Sequence, residues 1–323
     1  MSPLTLGTRG SPLALYQAHA VARLVEARSG VASEIVVIRT SGDRLGESPL
    51  AEAGGKRLFV KELEDALLAG TIDLAVHSSK DMSAVLPQGL GIAAVLPRED
   101  PRDALVLPSG RAVADGDAGI DEALAGTPRI GTSSVRRTAQ LAMLSPDARF
   151  LPVRGNLGTR LHKLDAGNYD ALVLAAAGLR RLDQGARISA LLPVERCVPA
   201  PGQGIIAVET RDGDARVAGA LATIDDLDTG RALAAERAVV ARLGGGCQMP
   251  IGAYARIEGD RITVTGVVVA PDGSRSARAE VSGPAHEARD TGARAAAALL
   301  ARGADAILDE ARRALSTVEG RQE

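Results

Sequence analysis

Aromatic residues are nearly absent from this chain: they make up 2% of its 323 residues, and there is no tryptophan. Binding of single-stranded nucleic acid by base stacking needs aromatic platforms, so the sequence argues against that class. Cysteine is equally sparse, with Cys197 and Cys247 far apart. Two such residues make no disulfide framework, and no CxxC pair or Cys/His cluster at metal-ligand spacing occurs, so no metal site is expected. No stretch is long and apolar enough to span a bilayer. The run MSPLTLGTRGSPLALYQAHAV lacks a basic leader followed by an unbroken apolar segment, so it does not read as a signal peptide, and a reducing cytoplasm is the expected location. A net charge of −2 gives no general attraction to nucleic acid or to an anionic membrane.

What is present is aliphatic bulk and arginine. Apolar residues reach 46%, enough for sizeable cores, and the length suits two or three domains. Of 38 basic residues only Lys56, Lys61, Lys80 and Lys163 are lysines. Arginine offers a rigid fork that matches carboxylates and phosphates. Most arginines of an Ala/Arg-rich chain need no such reading; clustered ones in unusual places do.

Strand and helix patterns alternate through the first two thirds. Leu4 to Thr8 reads as a strand, followed by a helix that Ser11 caps and Pro12 opens. EIVVIR (34–39), IDLAVH (72–77) and Ile92 to Leu96 read as further strands. Between them TSGDRLGESPLAEAGGKRL forms a long loop, with a helix from about Phe59; loops of this length are often functional lids. REDPRD is a polar break and candidate hinge near Glu99. A second alternating unit follows: PRIGTSS, a helix from Val135, FLPVRG, TRLHKLDAG and DALVLAAAG. Alternation of this kind predicts mainly parallel sheets with helices on both faces, and ligands at the strand ends. After Asp228 the pattern changes to a helix ending at Gly244, two strands (RITVTGVVVA and SRSARAEVSG) joined by Pro271-Asp272-Gly273, and one long closing helix from Arg289. The expected division is a first domain over 1–98, a second over 103–198, and a small α+β domain over 227–323.

Three segments carry chemistry. In GTSSVRR, Ser133 or Ser134 caps a helix whose first turn holds Arg136 and Arg137. Cations at that end oppose the helix dipole unless an anion is recruited there. Arginine recurs at other strand–helix junctions: Arg9, Arg154, Arg160, and the Arg180-Arg181 pair. The phosphate cradle GxxxxGK[ST] is missing, since GGKRL lacks the spacing, so a ligand with several carboxylates fits better than a nucleotide. HSSKDM ends an apolar strand and sets Lys80 and Asp81 at a sheet edge. A carboxylate inside an arginine-lined cleft repels an anionic ligand unless it meets a cationic or N–H part of it, where it stabilises developing positive charge and moves protons. In GGGCQMP, Cys247 follows a glycine run at a helix end, a setting for a nucleophile or attachment point. Cys197 reads as a buried structural residue.

The pieces TRGSPLALYQA, GGKRLFVKELEDALL, HSSKDM, REDPRDA, GTSSVRRTAQL, RGNLGTRLHKLD, AGLRRL, PAPGQG, AERAVVARLGGGCQMPIG and APDG, in that order, resemble the porphobilinogen deaminase family over nearly the full length. The resemblance implies an α/β fold of two periplasmic-binding-protein-like domains with mainly parallel sheets, plus a small C-terminal α+β domain. It implies a covalent dipyrromethane, held as a thioether at Cys247, on which four porphobilinogen molecules are joined head to tail with loss of ammonia and released as hydroxymethylbilane. By the same resemblance Arg9, Ser11, Lys80, Ser134, Arg136, Arg137, Arg154, Arg160 and Arg181 hold the acetate and propionate groups. Asp81, with Lys80, is catalytic: it faces the pyrrole nitrogens, assists loss of ammonia and stabilises the cationic azafulvene. Lys56 and Phe59 belong to the covering loop, and Gln203 lies on the segment returning to the first domain. A monomer is implied. Ser79, Met82-Ser83, Pro201 and Gly244, the last in place of a usual Glu, depart from the family pattern, but the arginines, Asp81 and Cys247 are all present. Two rivals remain at this point: a non-catalytic two-lobed anion-binding protein, which needs neither Asp81 nor Cys247, and a cysteine-nucleophile hydrolase.

Overall fold

In a computed structural model, described here for residues 2–44, 59–114, 116–246 and 248–319, the chain builds three sheets. The first part runs β1 (Leu4–Thr8), α1 (Pro12–Ser29), β2 (Ser33–Val37), α2 (Ser41–Arg44), α3 (Lys61–Leu68), β3 (Leu74–Ser78) and β4 (Leu90–Val95). The second runs β5 (Asp103–Val106), α4 (Gly116–Leu124), β6 (Arg129–Gly131), α5 (Val135–Leu144), β7 (Arg149–Leu151), α6 (Leu157–Asp165), β8 (Ala171–Ala175), α7 (Ala176–Arg181) and β9 (Ala190–Leu192). The chain then returns through β10 (Ile206–Arg211) and α8 (Ala215–Leu221). It closes with α9 (Leu227–Leu243), β11 (Ile251–Glu258), β12 (Arg261–Val269), β13 (Ser276–Pro284), α10 (Ala288–Leu300) and α11 (Ala304–Glu319).

The first two sheets share one topology. Their orders are β2-β1-β3-β10-β4 and β7-β6-β8-β5-β9, and in each the fourth strand runs against its neighbours. That odd strand is the one the chain supplies from across the gap: β10 returns to the first sheet, and β5 enters the second. Both sheets are covered on two faces. Leu4, Leu6, Leu74 and Val76 pack on α1 and α8, while Ala75 meets Leu63 and Leu67 of α3. Leu105, Ile130 and Val173 pack on α4 and α5, while Ala104, Val106, Leu172 and Leu174 pack on α6 and α7. Alternate residues of one strand thus enter opposite cores, which is why these strands read as unbroken apolar runs.

Capping sets where the helices begin. The Ser11 hydroxyl accepts the Ala14 amide at 3.3 Å, Asn156 accepts that of Thr159 at 2.9 Å, and Asp226 accepts that of Thr229 at 2.8 Å. Two chain segments cross between the lobes and lie against each other: the Leu96 amide bonds the Ile206 carbonyl, and the Glu99 amide that of Gly204. Gly204 has φ +87°, and a Cβ there would sit 2.2 Å from the Glu99 carbonyl oxygen, so only glycine allows this approach.

Several expectations need adjustment. The run DALVLAAAG is not one strand: the strand stops at Ala175 and α7 begins at Ala176, so Arg180 and Arg181 lie in the last turn of a short helix. The closing helix is two, because Gly303 adopts φ +84° between α10 and α11. The C-terminal sheet has a third strand, β11, which packs against α9 and shares the aliphatic core with α10 and α11. The fold class is mixed α/β in two similar lobes, followed by an antiparallel sheet-and-helix unit.

Candidate active-site cleft

A cleft of about 1000 Å³ opens between the lobes. Its walls come from the C-terminal ends of β1, β3, β6, β7 and β8 and from the crossing segment at Gly202 to Ile205. Chain reversals after parallel strands leave backbone and side chains free to face a ligand there.

The lining brings together Arg9, Ser11, Lys80, Asp81, Arg137, Arg154, Arg160 and Arg181. Arg9 stacks over the Phe59 ring at 4.2 Å, so Phe59 is part of the wall. Lys80 and Asp81 lie on a single tight turn over Ser79–Asp81, directly after β3. Burial, reinforced by the Arg137 guanidinium across the cleft, pulls the Lys80 ammonium down to about 8. Burial and the charge of Arg137 also lower Arg160, which Asp81 and Arg154 face as well. Arg160 donates Nε to the Gly155 carbonyl at 2.8 Å. Arg181 is lowered by burial and donates to the Gly204 carbonyl at 2.7 Å. Like charges held this close in a partly dehydrated cleft disfavour one another, and a ligand carrying several negative charges relieves that cost.

Two expected carboxylate holders are elsewhere. Arg136 is 4% exposed and does not line the cleft; its Nη1 bonds Asp103 Oδ2 and the Val198 carbonyl, both at 2.7 Å. Adjacent residues on a helix point about 100° apart, so only one of the pair can face the cleft. Ser134 precedes α5 but makes no side-chain cap bond and is not a wall residue. Ser133 takes the wall position, bonded through Oγ to the Val153 carbonyl at 2.8 Å. Lys56 and Cys247 lie outside the described residues. Gln203 is 1% exposed and donates Nε2 to Asp103 Oδ1 at 2.9 Å and to the Pro101 carbonyl at 2.7 Å.

The residue that organises these bonds, Asp103, was not among the sequence candidates. It accepts from Arg136, from Arg137 Nε and Nη2 at 2.9 and 2.8 Å, from Gln203, and from the Cys197 thiol at 3.4 Å. Burial alone would raise its carboxyl, but the two guanidiniums more than offset that and hold it far below the usual carboxylate range. Cys197, buried beside this carboxylate, is pushed up to about 12, which keeps it a thiol. A sequence signal did exist: an Asp opening the apolar strand DALVL needs a buried counter-charge. Gln17 was also missed. It is 2% exposed on α1, and its Nε2 reaches Ser78 Oγ at 2.9 Å on the cleft wall.

A dipyrromethane carries four carboxylates on two pyrrole rings. The donor set suits it: Arg9, Lys80, Arg137, Arg154, Arg160 and Arg181 line the cleft with Asp81 available for ring N–H groups, while a further lining pair, Arg187 and Asp165, bond each other. Among the described residues no group of His, Cys, Asp and Glu could hold a metal ion.

Fold and cleft together define a two-lobed α/β protein built to grip a polycarboxylate between its lobes. A family model described as "Porphobilinogen deaminase, dipyromethane cofactor binding domain" matches residues 4–219, and one described as "Porphobilinogen deaminase, C-terminal domain" matches residues 231–301. Porphobilinogen deaminase of Syntrophotalea carbinolica is 46% identical over 308 residues, covering 95% of each chain. That of Geobacter metallireducens is 46% identical over 308 residues, covering 95% of this chain and 94% of its own. Among solved structures, immunogenic lipoprotein A from Vibrio vulnificus is 13% identical, with a TM-score of 0.40 over 70% of this chain and 96% of its own. The chain belongs to the porphobilinogen deaminase family, transferases that join four porphobilinogen molecules into hydroxymethylbilane on a dipyrromethane primer. The non-catalytic anion-binding alternative is therefore not favoured.

Proposed function

We propose that the interlobe cleft is the polymerising site and that its residues divide the work by charge. The supporting observation is the convergence of seven cationic side chains and two carboxylates on a single cleft, where Asp165 is taken up by Arg187 and Asp81 lies on the tight turn beside Lys80. When bound, the dipyrromethane supplies the nucleophilic ring carbon that begins chain growth. Arg9, Arg137, Arg154, Arg160 and Arg181, with Ser11 as a neutral donor, hold acetate and propionate groups. Lys80, close to its own titration point, takes one carboxylate and favours the protonated form once that anion is present. Asp81 bonds pyrrole N–H groups. It offsets positive charge on the incoming ring as ammonia leaves, and it takes up the proton released from the ring carbon when the new bond forms. Phe59 covers one end of the cleft beneath Arg9, and Lys56 belongs to the same covering loop. Gln203 acts through Asp103, fixing where Arg137 points.

Cys247, four residues beyond the end of α9, is the proposed thioether attachment point. The proposed domains are 1–98 with the return at about 200–220, 103–198, and 227–323. The proposed state is a monomer in the cytoplasm; among the described residues no helix is long and apolar enough to cross a membrane.

Asp81→Asn tests the central role. The side chain keeps its size and loses its charge and proton affinity, so turnover falls on the order of 100-fold or more, while cofactor attachment measured by intact mass is largely spared. Near-normal turnover refutes the assignment.

A further inference from the structure

A second cavity, of about 780 Å³, lies between the first lobe and the C-terminal unit. One wall is β4, the edge strand of the first sheet, with the segment at Ala84 to Leu86; the other is α9 and α10. Ile92, Ala94, Leu233 and Ala293 make its surface apolar. Arg237, Arg242 and Arg289 stand around it. Arg237 donates to the Ala84 carbonyl at 2.9 Å, but among the described residues none of the three forms an ion pair. Arginines elsewhere do form ion pairs, as Arg98 does with Glu236 and Arg180 with Glu99 and Asp100. The only acidic residue described in this lining, Asp225, is committed to the Val95 amide at 2.9 Å.

Arg237 is half-buried. Burial lowers it; the charge of Glu209, too far for an ion pair, opposes this, and Arg289 adds a smaller lowering. Arg237 and Arg289 thus flank the cavity with no carboxylate in contact among the described residues, which leaves part of Arg237's desolvation cost uncompensated. An anion between them reverses that cost, and the adjoining aliphatic surface accommodates an apolar body. The volume falls within the range of small-molecule sites, roughly 300–1000 Å³.

We propose that this cavity is a binding site for a compact organic carboxylate, with its apolar body against β4 and α9 and its carboxylate held by Arg237 and Arg289. The ligand would bridge the first lobe to α9, whose last turn leads to Cys247, and so brace the attachment-bearing unit against the lobe that carries Asp81. The inference stands apart from the residue roles proposed for the main cleft.

The test uses holoenzyme labelled at alanine methyl groups and titrated with 2-naphthoate. Saturable shifts are expected at Ala84, Ala234, Ala238 and Ala293, without shifts at Ala175 and Ala177 of the main cleft. Neutral 2-naphthamide is expected to bind at least tenfold more weakly, and Arg237→Gln combined with Arg289→Gln to weaken naphthoate at least tenfold. Arg289 is exposed, so Arg289→Gln alone leaves the fold intact and is expected to weaken binding several-fold. No saturable shift at the second cavity, shifts confined to the main cleft, equal binding of acid and amide, or unchanged affinity in Arg289→Gln each overturns the proposal.

Discussion

Removing the Asp103 carboxylate should damage the second lobe out of proportion to one side chain. Asp103→Ala leaves Arg136 and Arg137, 4% and 7% exposed, without their shared counter-charge, and leaves Gln203 Nε2 with one acceptor fewer. Breaking a buried ion pair typically costs about 3–5 kcal/mol. Both guanidiniums keep a carbonyl partner, Val198 for Arg136 and Val173 for Arg137, so the middle of that range is expected despite the double pairing. For a cooperative unit of this size that corresponds to a thermal midpoint lower by roughly 10 °C. The pH dependence follows from the depressed folded-state value. A carboxylate held below its unfolded pKa contributes stability above the ordinary carboxylate range and loses it only as pH falls through the folded value. The wild-type advantage should therefore stay nearly constant from pH 8 to pH 5 and shrink only in stronger acid. Differential scanning calorimetry across that range reads both effects. A loss below about 1 kcal/mol, or an advantage that disappears by pH 5, refutes the reasoning.

Two further outcomes are expected. Lys80 has its folded value lowered to about 8, so the cofactor-free protein gains stability as pH rises from there toward the unfolded value. Carboxylate binding should weaken over the same interval, and KM for porphobilinogen should rise above pH 8; Lys80→Gln should remove that limb, and a KM profile unchanged in Lys80→Gln contradicts the assignment. Glu236, 0% exposed, accepts Arg98 Nη1 at 2.5 Å and the amides of Gly202 and Ala255 at 2.6 and 2.7 Å, which ties α9, β11 and both crossing segments together. Glu236→Ala should speed hydrogen exchange at the Gly202 and Ala255 amides by about 100-fold, equivalent to roughly 3 kcal/mol, while amides central to β8 change little; a uniform change across the chain contradicts that role.

Much of this was readable in the sequence because its signals are local. Ser11-Pro12 opens α1, and Gly244 closes α9 with φ 64°, as their residue types require. Motif order also put Arg9, Lys80, Asp81, Arg154, Arg160 and Arg181 on one cleft. What was hidden depends on contacts between distant segments. Nothing local distinguishes Arg136 from Arg137; the helix turn between them sends one into the core and one to the cleft wall. The antiparallel strands β10 and β5 exchange across the gap, which alternation alone does not reveal. Asp103, Glu236 and Gln17 are single polar residues in apolar surroundings, and their partners lie up to 138 residues away. Cys247 keeps its sequence-based role without a structural description.

The most direct test is the intact mass of active enzyme purified without denaturation. The account predicts a mass above that of the polypeptide by two linked pyrrole units, and loss of that excess together with activity in Cys247→Ser. Active protein at the unmodified polypeptide mass, or an adduct that persists in Cys247→Ser, would contradict it.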